Sequence, residues 1–234
     1  MDIFTTIRSS TWWSIAQQTP DGHFRPEEGV SLADHLEAVR RNLGFLRSQD
    51  GENQFLSELT QAIDRVGLIR ANVAEVLSIV ALLHDIGKPK EDKEAEISHP
   101  LSGKAVKQRH PIVGLIAGLE LLPDETPHRE QILALVEEHD TPYAWYMQSN
   151  KTGQTPGKKA WGRLDRKIEP IGNGTGLILL ALFKIADIDG HENPDDVSWF
   201  IEQANGNYLD EKNRALPVPD RDDLAGVADE GTWN

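Results

Sequence analysis

Six ionisable residues fall where a helical protein ordinarily places apolar or inert ones. His84 and Asp85 end a dense apolar stretch, Asp187 lies late in LILLALFKIADIDG, and His35, His110 and His139 sit on apolar helix faces or at helix ends. Burying an aspartate without a partner is costly, and the partial negative charge of a helix C-terminus favours a nearby cation. The chain has no cysteine, so a metal would rest on imidazole and carboxylate, donors suited to hard or borderline divalent ions. Taken singly, each residue has a plainer explanation, an Asp paired with Arg or Lys, or a packed histidine. The joint pattern points to a metal.

Lys88 follows Asp85 by three residues. A cation there can hold a phosphate oxygen or stabilise charge in a transition state, or simply interact with the end of its helix. Two positions stay open. His99-Pro100 with Gly103 mimics His110-Pro111 with Gly114, although the stronger apolar helix after His110 favours the latter, and Asp189 competes with Asp187. Asp140 is a candidate to support His139, since ligating histidines commonly hydrogen-bond a carboxylate or carbonyl. His23, His128 and His191 read as surface residues.

Helices must position these groups. Ser31 caps one whose Leu32, Leu36, Val39, Leu43 and Leu46 recur at helical spacing, with His35 on the margin of the apolar face. A second stretch spans about 52–70, interrupted by Gly67. Asn72 and Glu75 have the spacing of a capping box before Val76, Leu77, Ile79, Val80, Leu82 and Leu83, a density that implies a buried central helix. Gly87 is placed to adopt the left-handed conformation past its end, and Pro89 to stop resumption. The polar run 91–109 reads as loop with some helix. Pro111 suits a first helical turn, Thr126-Pro127 opens the helix leading to His139, Gly176 to Asp189 forms a second deeply apolar helix, and Asn193-Pro194 starts a last one. No alternating strand pattern of useful length is present, which makes the chain all-α.

The string ALLHDIGKPK resembles the signature of the HD-domain superfamily of metal-dependent phosphohydrolases, and the other pieces follow in that family's order over about Ser31 to Gly190. The surroundings, RHPIVGLIAGLELL and LVEEHDTPYAWYM, look similar to HD domains attached to tRNA nucleotidyltransferases and P-loop kinases. The resemblance implies an HD-type helical bundle with a metal site between its central helices. His35, His84, Asp85 and Asp187 would ligate one divalent ion, and His110 and His139 would add a second with Asp85 bridging. Asp85 and Lys88 would carry the catalysis, by attack of a metal-activated water on phosphorus. Di-iron oxygenases share the ligand set but usually lack the Lys.

Composition narrows the substrate. The net charge is −14, which disfavours long nucleic acid as the main partner. Between Lys151 and Glu169, however, six cations face only Asp165 and Glu169, and Lys158, Lys159, Arg163 and Arg166 are candidates to bind an anionic substrate. The plainer reading is a solvated charged loop. Trp145, Tyr146 and Trp161 beside it would either stack on a base or, more commonly, pack the segment onto the core. The longest unbroken apolar stretch, Leu177 to Phe183, is seven residues, well short of the ~20 a spanning helix needs. The N-terminus does not read as a signal peptide, which gives a cytoplasmic address by default.

The resulting expectation is one helical domain over 1–214 with an acidic, flexible tail over 215–234. Its function would be hydrolysis of phosphate esters of nucleotides or a nucleotide-like metabolite, using one or two divalent ions drawn from Mn, Fe, Mg, Co or Ni. A nuclease or 2′,3′-cyclic phosphodiesterase acting on RNA ends, an HD-type di-iron oxygenase and a nucleotide-sensing module without turnover are the competing readings.

Overall fold

The computed structural model describes residues 2–22, 28–47, 53–188 and 194–230. In chain order it contains helices α1 (Ile3–Arg8), α2 (Thr11–Gln18), α3 (Leu32–Asn42), α4 (Gln54–Arg65) and α5 (Arg70–Leu83). An antiparallel hairpin follows, β1 (Asp92–Ser98) and β2 (Ala105–Gln108). The remaining helices are α6 (His110–Leu121), α7 (Arg129–Glu138), α8 (Thr141–Thr152), α9 (Lys158–Ile168), α10 (Thr175–Ala186), α11 (Asp195–Ala204) and α12 (Arg221–Glu230). They group into two compact units, Met1–Arg40 with Ser78–His139, and Arg41–Leu77 with Asp140–Asn234. Among the described residues no single helix is long and apolar enough to cross a membrane.

In the first unit, capping fixes where α3 begins. The Ser31 Oγ accepts from the Asp34 backbone N–H at 3.2 Å while the Asp34 carboxylate accepts from the Ser31 N–H at 2.9 Å, a reciprocal box. That start places His35 in the second turn of the helix, where it is buried. The C-terminal half of α5 is almost wholly inaccessible, from Ile79 to Leu83. It begins at Arg70, so the box-like spacing of Asn72 and Glu75 falls inside the helix and caps nothing.

Gly87 is not left-handed, with φ −80° and ψ −16°. Its reason for being glycine is proximity. A Cβ at Gly87 would lie 2.5 Å from the His110 carbonyl oxygen and 2.6 Å from the Gly114 nitrogen. One turn further on, a Cβ at Gly118 would meet Leu133 Cδ2 of α7 at 2.7 Å. Bare backbone on this face of α6 lets the start of that helix sit against the segment that follows α5.

The run read as loop with some helix is the β1–β2 hairpin. Its strands pair from Ser98↔Ala105 to Glu96↔Lys107, then slip so that Asp92 pairs Gln108. At the slip, Asp92 Oδ1 accepts from the Glu94 and Ala95 N–H groups at 3.0 and 3.2 Å, a side-chain turn that absorbs the extra residues. Neither face of β1 is deeply buried, so the sequence carries no apolar alternation to announce it.

In the second unit, every residue of α10 from Thr175 to Ala186 is buried, as its apolar composition predicts. The segment expected as a solvated basic loop is instead the amphipathic helix α9. Its Asp165 is fully buried and accepts from the Gly174 N–H at 2.8 Å and the Leu177 N–H at 3.2 Å, satisfying donors at the start of α10. Trp161 is fully buried, edge-on to Trp145 at 4.8 Å and tilted against Phe200 at 5.3 Å. Its Nε1 donates to the Pro156 carbonyl at 3.0 Å. Packing, not base stacking, therefore occupies that ring. The segment expected as a flexible tail contains α12, with Leu224 and Val227 buried; the helix lays two apolar residues three positions apart onto its unit. Residues 231–234 of that tail lie outside the described residues.

Candidate metal centre

Four imidazoles converge on one carboxylate in the first unit. His84 and Asp85 leave the end of α5, His35 comes from α3, His110 is the first residue of α6 and His139 caps the end of α7. All but His110 are buried, and the His110 side chain is only 15% exposed. The two oxygens of Asp85 divide the set. His84 Nε2 and His35 Nε2 stand 3.3 and 3.7 Å from Oδ2, whereas His110 Nε2 and His139 Nε2 stand 3.2 and 3.5 Å from Oδ1. The rings form a continuous row, with centroids 5.5 Å apart from His35 to His84, 5.1 Å to His139 and 5.3 Å to His110.

The donor set fits a metal. His84 Nδ1 lies 3.0 Å from the Ala81 carbonyl and His139 Nδ1 lies 2.8 Å from the Val136 carbonyl. A carbonyl can only accept, so each Nδ1 carries the proton and each Nε2 turns its lone pair toward Asp85. Asp85 Oδ1 is buried and accepts no hydrogen bond among the described residues, an expensive state for a carboxylate oxygen unless a cation is supplied. The ligand atoms of His35, His84 and Asp85, and those of Asp85, His110 and His139, each lie close enough together to hold an ion. These are two groups with Asp85 in common.

Burial pushes the Asp85 carboxyl up, but neighbouring positive charge, that of Lys88 included, outweighs it and holds the group well below the ordinary aspartate range. The Lys88 Nζ lies 2.6 Å from Asp85 Oδ2, so the carboxylate stays ionised, the form a metal requires.

The hairpin carries two features of this neighbourhood that sequence left open or missed. His99, the competitor of His110, sits at the turn instead. Its Nδ1 accepts from the Leu101 and Ser102 N–H groups at 3.2 Å each, so its Nε2 donates to Glu137 Oε1 at 3.0 Å. At the other end, Glu91 Oε1 accepts from the His110 backbone N–H at 3.2 Å and faces its Nδ1 at 3.3 Å. Glu91 stands in the string EDKEAE, where nothing separates it from solvated neighbours. Asp21 is the corresponding group for His35, its Oδ2 3.4 Å from His35 Nδ1. Asp140, the support foreseen for His139, is not needed for that, because the Val136 carbonyl takes the Nδ1 proton.

Asp187 and the four cations of α9 fall in the second unit. Asp187 ends α10, with Oδ2 accepting from Lys184 Nζ at 2.7 Å, both side chains buried. Asp189, His23 and His191 lie outside the described residues. Lys158, Lys159, Arg163 and Arg166 are exposed on α9, and Lys158 pairs with Glu211. His128 is exposed, as expected.

A protein-family model described as HD domain matches residues 54–188, more than half of the chain. The match takes in His84, Asp85, His110, His139 and Asp187, while His35 lies before it. No curated protein and no solved structure matches.

Proposed function

From a chain that belongs to the HD-domain family of metal-dependent phosphohydrolases, we propose an enzyme that hydrolyses phosphate esters of nucleotides or a nucleotide-like metabolite with two divalent ions. The observation that carries this reading is the division of Asp85, one oxygen toward His35 and His84 and the other toward His110 and His139. Two divalent ions held by these residues would supply a water of lowered pKa and polarise a phosphoryl oxygen.

The chain's own residues do the rest. Asp85, kept ionised by its neighbours, would be the carboxylate that both ions share. His84 and His139 are locked in one tautomer by backbone carbonyls, so the positions of their Nε2 atoms are set before any ligand arrives. Lys88 neutralises Asp85 Oδ2 and, being 28% exposed, has room to turn its ammonium to a phosphoryl oxygen. Lys159, Arg163 and Arg166 give the second unit an exposed cationic face in an otherwise acidic chain, suited to recruiting anionic substrate; Lys158, already paired with Glu211, contributes less. Asp187 is assigned as a further ligand on the family resemblance alone, its Oδ2 accepting from Lys184 Nζ in this structure.

The test is to purify the protein without chelator, measure bound metals by mass spectrometry, and follow phosphate release from a nucleotide panel with Mn, Mg, Co, Ni and Fe added, alongside Asp85→Ala. Close to two metals per chain and turnover abolished in the variant is the expected result. Metal uptake with no ester cleaved, and oxygen-sensitive iron in particular, would transfer the site to oxidative chemistry. Absence of metal uptake refutes the reading.

A further inference from the structure

The two halves of the cluster are built alike but not equally enclosed. Each contains one imidazole backed by a neutral carbonyl, His84 or His139, and one facing a carboxylate, His35 with Asp21 or His110 with Glu91. The first carboxylate pair is sealed, with side-chain exposures of 2% for His35 and 0% for Asp21. The second stands at the rim, 15% exposed for His110 and 17% for Glu91. Exposure to water weakens both the electrostatic hold of a site and its ordering, so the rim half depends more on whatever fixes its imidazole.

What fixes it is one oxygen. Glu91 Oε1 faces both the backbone N–H and the ring Nδ1 of His110. The N–H is one of the donors that α6 leaves unsatisfied at its start, so the contact caps the helix as well as orienting the ring. Lys93 Nζ holds the opposite oxygen, Oε2, at 3.5 Å, and Gln108 Nε2 donates to the Lys90 carbonyl at 2.8 Å, closing the base of the hairpin on either side of this pair. With Nδ1 directed at a carboxylate, the Nε2 lone pair is left to point at Asp85 Oδ1, 3.2 Å away.

We infer that Glu91 is the positioning residue of the His110–His139–Asp85 half, fixing the His110 ring and setting that half's metal affinity independently of the His35–His84–Asp85 half. The inference rests on the two-metal reading above. Its chemistry is general: carboxylates behind ligating imidazoles raise ligand basicity and fix the ring, and their removal typically weakens metal binding by about 10- to 100-fold.

The experiment is a Mn(II) titration of chelator-stripped protein, free Mn(II) being read by electron paramagnetic resonance, for wild type, Glu91→Ala and Glu91→Gln. Circular dichroism melts of the metal-free proteins establish that all three are folded. Wild type should show two classes of site. Glu91→Ala should weaken one class by about 10- to 100-fold and leave the other within twofold, and Glu91→Gln, whose amide oxygen still accepts from Nδ1, should fall between. Two unchanged classes in Glu91→Ala, or equal weakening of both, overturn the inference while leaving the two-metal reading intact. If Glu91→Ala does not fold, Glu91→Gln decides, and wild-type affinity in both classes counts against the role. A wild type that binds one ion or none overturns the two-metal reading and this inference with it.

Discussion

Gly87 offers the sharpest test of how the cluster is assembled. Its φ of −80° is open to any residue, so replacing it by alanine would ordinarily stabilise a protein by about 0.4–1 kcal/mol through the unfolded chain. Here the added Cβ would stand 2.5 Å from the His110 oxygen, 2.6 Å from the Gly114 nitrogen and 2.9 Å from Val113 Cβ. The nearest two obstacles are backbone, which cannot rotate away. Reaching ordinary contact at 3.4 Å requires the start of α6 to retreat by roughly 0.9 Å from its 2.5 Å approach, and overpacking of this kind costs about 1–3 kcal/mol. The retreat carries His110 away from Asp85. Gly87→Ala should therefore lower the urea midpoint of the metal-free protein and weaken one class of metal site. Gly44→Ala, with nothing within 4 Å of the new Cβ, is the control and should be neutral or slightly stabilising. A Gly87→Ala protein as stable as wild type, with both classes of site intact, would show that the close approach does not hold His110 in place.

Four further outcomes follow from the geometry. Because one carboxylate serves both groups, Asp85→Ala should abolish uptake of both metals while His139→Ala retains one, as read by metal analysis of the gel-filtered proteins. Burial opposes ionisation of Glu37, but hydrogen bonds and charge from Arg8 and Arg40 win and hold its carboxyl below the usual 4.5; a depressed folded pKa stabilises above the unfolded value and that stability is lost as pH falls through the folded one. Glu37→Gln should thus cost about 0.2–1 kcal/mol at pH 7 and nothing once the carboxylate is protonated in both states, measured by denaturation at each pH. Trp161→Ala should cost about 3–5 kcal/mol and remove much of the near-ultraviolet dichroism. Finally, Lys159→Ala with Arg163→Ala should raise KM for a nucleotide severalfold with kcat unchanged, an effect that grows at low salt; a fall in kcat alone would count against a recruiting role.

Much of the cluster was legible because its residues interrupt strong patterns. His84-Asp85 ends a helix that is otherwise apolar, His110 precedes a proline at a helix start, and His139 closes a helix before Pro142; each is a polar group at a place where a buried helix face or its end is already marked. The choice between His99 and His110 rested on one cue, the stronger apolar helix after His110, since both precede proline and have glycine four residues on; the fold puts His99 at a turn and His110 against Asp85. Glu91 was invisible for a related reason: a carboxylate among carboxylates has no pattern to break. The hairpin escaped because its strands are exposed and rich in Lys and Glu, so they lack the alternation that signals a half-buried sheet. The reading of Gly87 named the right residue and the wrong cause, because close approach between distant segments leaves no local trace.

The hairpin has one more consequence, for behaviour in concentrated solution. Among the described residues its two strands pair only with each other, so each offers an outer row of amide and carbonyl groups of the kind that templates association between molecules. The exposed Lys93, Glu96 and Lys107 side chains surround that ribbon with charge. They make the approach of a second ribbon unfavourable, a protection that replacement by valine or threonine would strip away.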